Sequence, residues 1–179
     1  MPNFTVDSFG GAVAQWANLR NNSFKNNWAV KGGWEGWIQV DLVAYILSAD
    51  STYDILREQS IYASSPRKRV DLLLNTNLMT DDQIAVEIKA ESFENRMNPF
   101  INGIRKDLRK LDQDRDSNFS ECDCIVMALP FNSESLQAVN KIKMNDQPVF
   151  NTIFKGEVAI CFAVYKEAGG WLPATNVQN

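Results

Sequence analysis

Two stretches that read as strands, Val70–Leu74 and Ile84–Ala90, each carry charge inside an otherwise apolar run: Asp71 in the first, Glu87 and Lys89 in the second. Side chains alternate across a strand, so Glu87 and Lys89 share one face while Val86 and Ile88 take the other, and Glu91 continues the polar row. The pattern sets a carboxylate beside an ammonium at the edge of a sheet. Residues 75–83 are polar and read as a turn, which lets Asp71 bring a second carboxylate within metal-bridging distance of Glu87. Charge placed in a sheet core is costly and asks for a reason. Two carboxylates and one lysine can cleave a phosphodiester.

The chain has no histidine. Ser-His-Asp hydrolases, Cys-His proteases, histidine-based phosphoryl transfer and histidine-dependent ribonuclease chemistry are therefore excluded, which leaves carboxylate and lysine chemistry. Three cysteines, Cys122, Cys124 and Cys161, leave one unpaired if any disulfide forms, and the first two alternate along an apolar segment. They read as free core thiols in a reducing compartment. A Cys-x-Cys pair without histidine offers too few ligands for zinc. The net charge of −4 and the isoelectric point of about 4.9 argue against a general nucleic-acid coat, since lysines and arginines drive such binding. They leave a nuclease open, because metal-site carboxylates lower the formal charge and a local basic face can still approach phosphate.

With 179 residues, 45% of them hydrophobic, the chain suits one domain over 1–179, with a core at about 30–165 and a poorly anchored tail at 171–179. The sequence from Met1 has no basic start or apolar run of a secretory signal and reads as the start of a stand-alone product. No apolar run approaches the roughly 18 residues of a membrane span. The expectation is a cytoplasmic protein without a membrane partner.

Periodicity predicts a helix near 11–19, with Val13, Trp16 and Leu19 on one face, then an Asn-rich loop over 20–27. A turn through Gly32-Gly33 leads into a helix over 35–48 with Trp37, Val40, Ala44 and Leu47 as its stripe. Strands follow over 53–63, 69–75 and 83–91. A helix after Asn98-Pro99 runs to about 112 and buries Phe100, Ile104, Leu108 and Leu111. Then come a strand over 122–129, a short helix over 133–143, and one or two strands within 153–165.

The Asp71 strand followed by Glu87-Ile88-Lys89 on the next resembles the PD-(D/E)XK nucleases of restriction-endonuclease-like fold. Val70 stands where the motif's proline would be, and the likeness covers about residues 30–130. The resemblance implies an α/β architecture with an αβββαβ core, a mixed central sheet flanked by helices. It implies that Asp71 and Glu87 bind Mg2+, with Mn2+ as a substitute, that Lys89 assists the attacking water, and that a helix-borne glutamate joins them. Glu35, in the first turn of its helix, fits that role, and Gln39 one turn on points the same way. Glu58, on the strand before Asp71, is a further candidate to flank the site.

Basic residues gather at Arg67, Lys68 and Arg69 before the Asp71 strand, and at Arg105 and Arg109, which share a face of the helix after Lys89. They are the candidate contacts to a nucleic acid, DNA by expectation, and mostly to its phosphates. Each group also has a plainer reading: Glu87 and Lys89 as a surface pair, Glu35 as an acid favoured at a helix start, Glu58 as the partner of Arg57 or Lys68. The functional expectation is a magnesium-dependent endonuclease, cutting duplexes as a homodimer or with a partner subunit. The alternative is a non-enzymatic binding protein on the same fold, an immunity, antitoxin or regulatory partner of a nucleic-acid system, which the acidic isoelectric point favours.

Overall fold

The structure, a computed structural model, describes residues 3–31, 34–94 and 96–175. The turn expected at Gly32-Gly33 and residues 176–179 of the expected tail lie outside them. Helix α1 (Val6–Trp28) opens on a capping box, in which the Thr5 hydroxyl accepts the Ser8 N–H at 3.1 Å and the Ser8 hydroxyl accepts the Thr5 N–H at 2.8 Å. The helix continues through the Asn-rich stretch expected as a loop. Asparagine is a weak helix former, but Phe24 is buried among the rings of Trp16, Trp34 and Trp37, and Arg20 makes two hydrogen bonds to Asp41 of the next helix. Tertiary contacts hold the segment helical. Leu19, expected on the buried face, is 63% exposed, and Phe9 and Ala17 join Val13 and Trp16 there instead.

Helix α2 (Glu35–Ala49) is apolar nearly all round, so its sequence offers competing stripes. The structure buries Ile38, Leu42 and Ile46, while Val40 of the expected stripe is 51% exposed. Strand β1 (Ile55–Gln59) is shorter than the expected strand over 53–63, because the chain turns Ile61 and Tyr62 into the core beyond it. Then follow β2 (Val70–Leu74), β3 (Ile84–Ala90), α3 (Met97–Gln113), β4 (Asp123–Leu129) and α4 (Ser133–Asn140). A two-stranded hairpin of β5 (Lys143–Met144) and β6 (Gln147–Pro148) precedes β7 (Phe150–Lys155), β8 (Ala159–Lys166) and β9 (Gly170–Trp171). Trp171, expected in a loose tail, is buried: β9 pairs with β8, and the Ala174 N–H donates to the Pro148 carbonyl at 2.7 Å.

The main sheet runs β1-β2-β3-β4-β8-β7, with β9 on β8. It is mixed. The β3–β4 pair is parallel, from Ile84 opposite Asp123 to Ala90 opposite Leu129, and the other pairs are antiparallel. A parallel pair needs a crossover connection, which α3 provides. Alternation divides β3 between two cores. Val86, Ile88 and Ala90 pack in the core under α1 and α2. Ala85 belongs to the opposite core, where Cys124, Val126, Ala128, Cys161 and Ala163 keep the sheet surface low enough for Phe100, Ile104, Leu108 and Leu111 of α3 to lie against it. All three cysteines are free and buried. No helix among the described residues is long and apolar enough to cross a membrane.

Candidate active site

The strand bearing Glu87 and Lys89 is interior, flanked by β2 and β4, and not at an edge as its charge suggests. Glu87 follows Ala85 on the α3 side of the sheet and is only 3% exposed. Charge persists there because α3 carries charge to meet it. Positions 100, 104, 107 and 111 form the helix's buried stripe, and Asp107 is its charged member. Lys110, one turn further, places its Nζ 2.6 Å from Glu87 Oε1 and 3.3 Å from Asp107 Oδ1. Lys89 Nζ lies 3.1 Å from Glu35 Oε2 and 3.7 Å from Asp107 Oδ2. The Tyr62 hydroxyl donates a short hydrogen bond to Glu87 Oε1.

Asp71 stands where β2 and β3 part. Their paired register stops at Leu72 opposite Val86, and the Asp71 carboxylate itself accepts the Ile88 N–H at 2.6 Å. Its other oxygen accepts from Gln39 Nε2 at 2.7 Å, and Gln39 Oε1 accepts from Arg57 Nη2 at 2.7 Å. Gln39 is thus buried and committed to Asp71 through its amide, not solvated. Glu35 Oε1 accepts the Ala90 N–H at 3.0 Å, so both its oxygens are engaged by β3. Helices α2 and α3 deliver these groups from opposite faces of the sheet to the carboxyl end of β3. Glu91, in the same polar row by sequence, serves the start of α4: it accepts from the Phe131 N–H at 2.8 Å and the Ser135 hydroxyl at 2.9 Å.

The electrostatics follow from burial. Burial pushes the Asp71 carboxyl up to about 6, against the Ile88 N–H and the Lys89 charge, which favour the carboxylate. Glu87 is raised further, by burial first and by repulsion from Asp71 and Asp107, with Lys110 pulling the other way. Burial alone would lower Lys89 and Lys110, but their acidic neighbours outweigh it and hold both above the ordinary lysine value. Both are ammonium ions at neutral pH.

The other sequence candidates lie elsewhere. Glu58 has a left-handed φ of 54° and is exposed, and its backbone carbonyl accepts from Arg69 Nη1 at 2.7 Å. Arg57 is the residue of β1 that reaches the site. Lys68 pairs with Asp114 at 2.7 Å, and Arg67, Arg69, Arg105 and Arg109 are exposed. Asp107, Lys110, Tyr62 and Arg57 join the site in the structure without being expected there from the sequence. The signal for Asp107 was present, as a charge inside the apolar stripe of α3. Lys110 reads as the surface partner of Lys106 at i, i+4, and nothing in the order of residues distinguishes it.

No family model, curated protein or solved structure gives a significant match to this chain. Function therefore rests on the chemistry of the site.

The donor set suits a hard cation. Asp71 and Glu87 would supply the oxygen ligands, and a divalent ion held by them would offset the repulsion between the two carboxylates. Among the described residues no group of three or more His, Cys, Asp or Glu converges to hold a metal. Two carboxylates alone would suit an ion that keeps several waters, as magnesium does. Glu35 is turned to Lys89 and the Ala90 N–H instead of completing a third protein ligand.

Proposed function

We propose that this protein is a magnesium-dependent endonuclease of restriction-endonuclease-like architecture, acting on DNA. The observation that carries the reading is the joint placement of Asp71, Glu87 and Lys89. The half-buried Asp71 carboxylate and the buried Glu87 carboxylate repel each other across adjacent antiparallel strands, and a lysine two residues past the second is held charged by Glu35 and Asp107. The helix–strand–strand–strand–helix–strand order from α2 to β4 supports the same reading.

Asp71 and Glu87 would hold the ion. When bound, magnesium polarises a phosphodiester and lowers the pKa of a coordinated water. Lys89 is a cation, which fits it to stabilise negative charge developing on the phosphoryl oxygens and not to act as a base. Glu35 and Asp107 aim its ammonium. Gln39, fixed by Arg57, keeps Asp71 in one orientation. Exposed Arg105 and Arg109 on α3, with Arg67 and Arg69 before β2, are suited to backbone phosphates and carry no sequence information by themselves.

One observation favours a second reading. Glu35 with Lys89 and Glu87 with Lys110 neutralise one another without any ligand, as suits a non-enzymatic binding protein on this architecture. The discriminating experiment is cleavage of supercoiled plasmid, single-stranded DNA and RNA with magnesium, manganese or EDTA, alongside Asp71→Ala and Lys89→Ala. Metal-dependent cutting lost in both variants supports the nuclease. Absence of cutting by a folded wild type that binds no metal decides for the binding protein.

A further inference from the structure

Lys110 sits directly on one of the two proposed metal ligands. Its ammonium is held by Glu87 at 2.6 Å, by Asp107 at 3.3 Å and by the face of the Tyr62 ring at 4.7 Å from the centroid. This is a built seat for a cation, closed on three sides by two carboxylates and an aromatic face, with the Lys110 side chain 16% exposed. Asp107 adds a second observation. The residue is buried, and its Oδ2 has no hydrogen-bond partner among the described residues, since the Lys89 ammonium stops 3.7 Å away. An acceptor left open inside an otherwise satisfied network is costly. Its position one turn before Lys110 on α3 makes it the acceptor within reach of that same ammonium.

We infer that Lys110 is a resident cation that occupies Glu87 when no divalent metal is bound, and that Asp107 receives its ammonium when the metal takes Glu87. The inference rests on the two-carboxylate metal site proposed above. With the Lys110 ammonium on Glu87 Oε1, a divalent ion on the same carboxylate meets direct repulsion, so binding of one weakens the hold of the other. Lysine suits the part, being a compact point charge on a flexible stem with three donors. Lys110 thereby sets how much metal the site needs.

The test is Mn2+ titration calorimetry of the full chain, with cleavage measured on the same preparations. Lys110→Met is expected to bind Mn2+ about tenfold or more tighter than wild type, the scale of effect of removing a like charge a few ångström from a partly buried ion. Lys110→Gln, which can still donate to Glu87, should tighten binding similarly and covers the case in which Met at this position does not fold. Lys110→Arg, which keeps the charge, and Lys106→Met, which removes an exposed charge from the same helix, should both bind as wild type does. Folded Met and Gln variants that bind Mn2+ no tighter than a cleaving wild type overturn this inference and leave the nuclease reading standing. Failure of wild type and all variants both to bind Mn2+ and to cut removes the metal site, and the inference with it.

Discussion

Gly103 of α3 lies against the stem of Lys89: a Cβ at position 103 would stand 3.0 Å from Lys89 Cδ and 3.4 Å from its Cε. Real side chains rarely approach so closely, so the glycine is what lets the helix settle over the lysine. Gly103→Ala improves helix propensity by about 0.5–1 kcal/mol while displacing the Lys89 stem by a few tenths of an ångström. The expected outcome is a melting temperature equal to or above wild type, with metal-dependent cleavage reduced about tenfold or more through misplacement of the ammonium. Parallel melting and cleavage curves check it. Equal activity would show that Lys89 has slack in its position.

Gln39 links Arg57 to Asp71, donating to the carboxylate at 2.7 Å and accepting from the guanidinium at 2.7 Å. Gln39→Leu keeps the volume and removes both bonds. A residue that orients a metal ligand typically matters by about 10- to 100-fold in affinity or activity, and Gln39→Leu is expected to fall in that range. Manganese titration and cleavage rates measure it. Arg57→Ala, one step further from the carboxylate, should show a smaller loss of the same kind.

The contrast between Glu87 and Lys110 shows which parts of this architecture are legible in the sequence. Asp71, Glu87 and Lys89 stand in short apolar runs, where alternation of period two fixes which side chains share a face. The strands and their order follow from local pattern for the same reason. Lys110 and Tyr62 reach Glu87 only through the packing of α3 and of the segment after β1 onto the sheet. No local period encodes that docking. The same holds for Gln39, whose burial depends on which of several apolar stripes of α2 meets the sheet. Glu58 and Arg57 differ by one position, and a positive φ at Glu58 accompanies the outward turn that leaves Arg57 facing Gln39. The Asn-rich stretch of α1 is helical because Phe24 and Arg20 find partners in α2 and its approach, information carried by other parts of the chain.

Asp71 supplies a pH signature. Burial raises its carboxyl to about 6 in the folded protein, against about 3.9 unfolded. The folded state therefore holds the proton more tightly. The corresponding stability is fully present below about pH 4 and is lost as the pH rises through about 6. Glu87, also raised, extends the decline to higher pH. In EDTA, urea midpoints of the wild type should fall from about pH 4 to about pH 7 more steeply than those of Asp71→Asn, which lacks this linkage. Parallel curves for the two proteins would mean that Asp71 titrates normally.

Trp171 anchors the last described strand. It is 6% exposed, its ring meets Tyr165 edge-on at 5.5 Å, and its Nε1 is buried without a hydrogen-bond partner among the described residues. Removing the ring leaves a cavity beside β8, and Trp171→Ala is expected to cost about 3 kcal/mol, the lower end for a buried tryptophan, because the orphaned N–H leaves with it. Trp171→Phe keeps an aromatic face against Tyr165 and also removes an unsatisfied donor whose burial costs about 1–3 kcal/mol. It should therefore cost less than half as much as the alanine. Urea denaturation of the two variants measures the difference. Equal losses would indicate that the indole N–H has a partner in solution, such as an ordered water, and that the full indole contributes to the packing of β9 on β8.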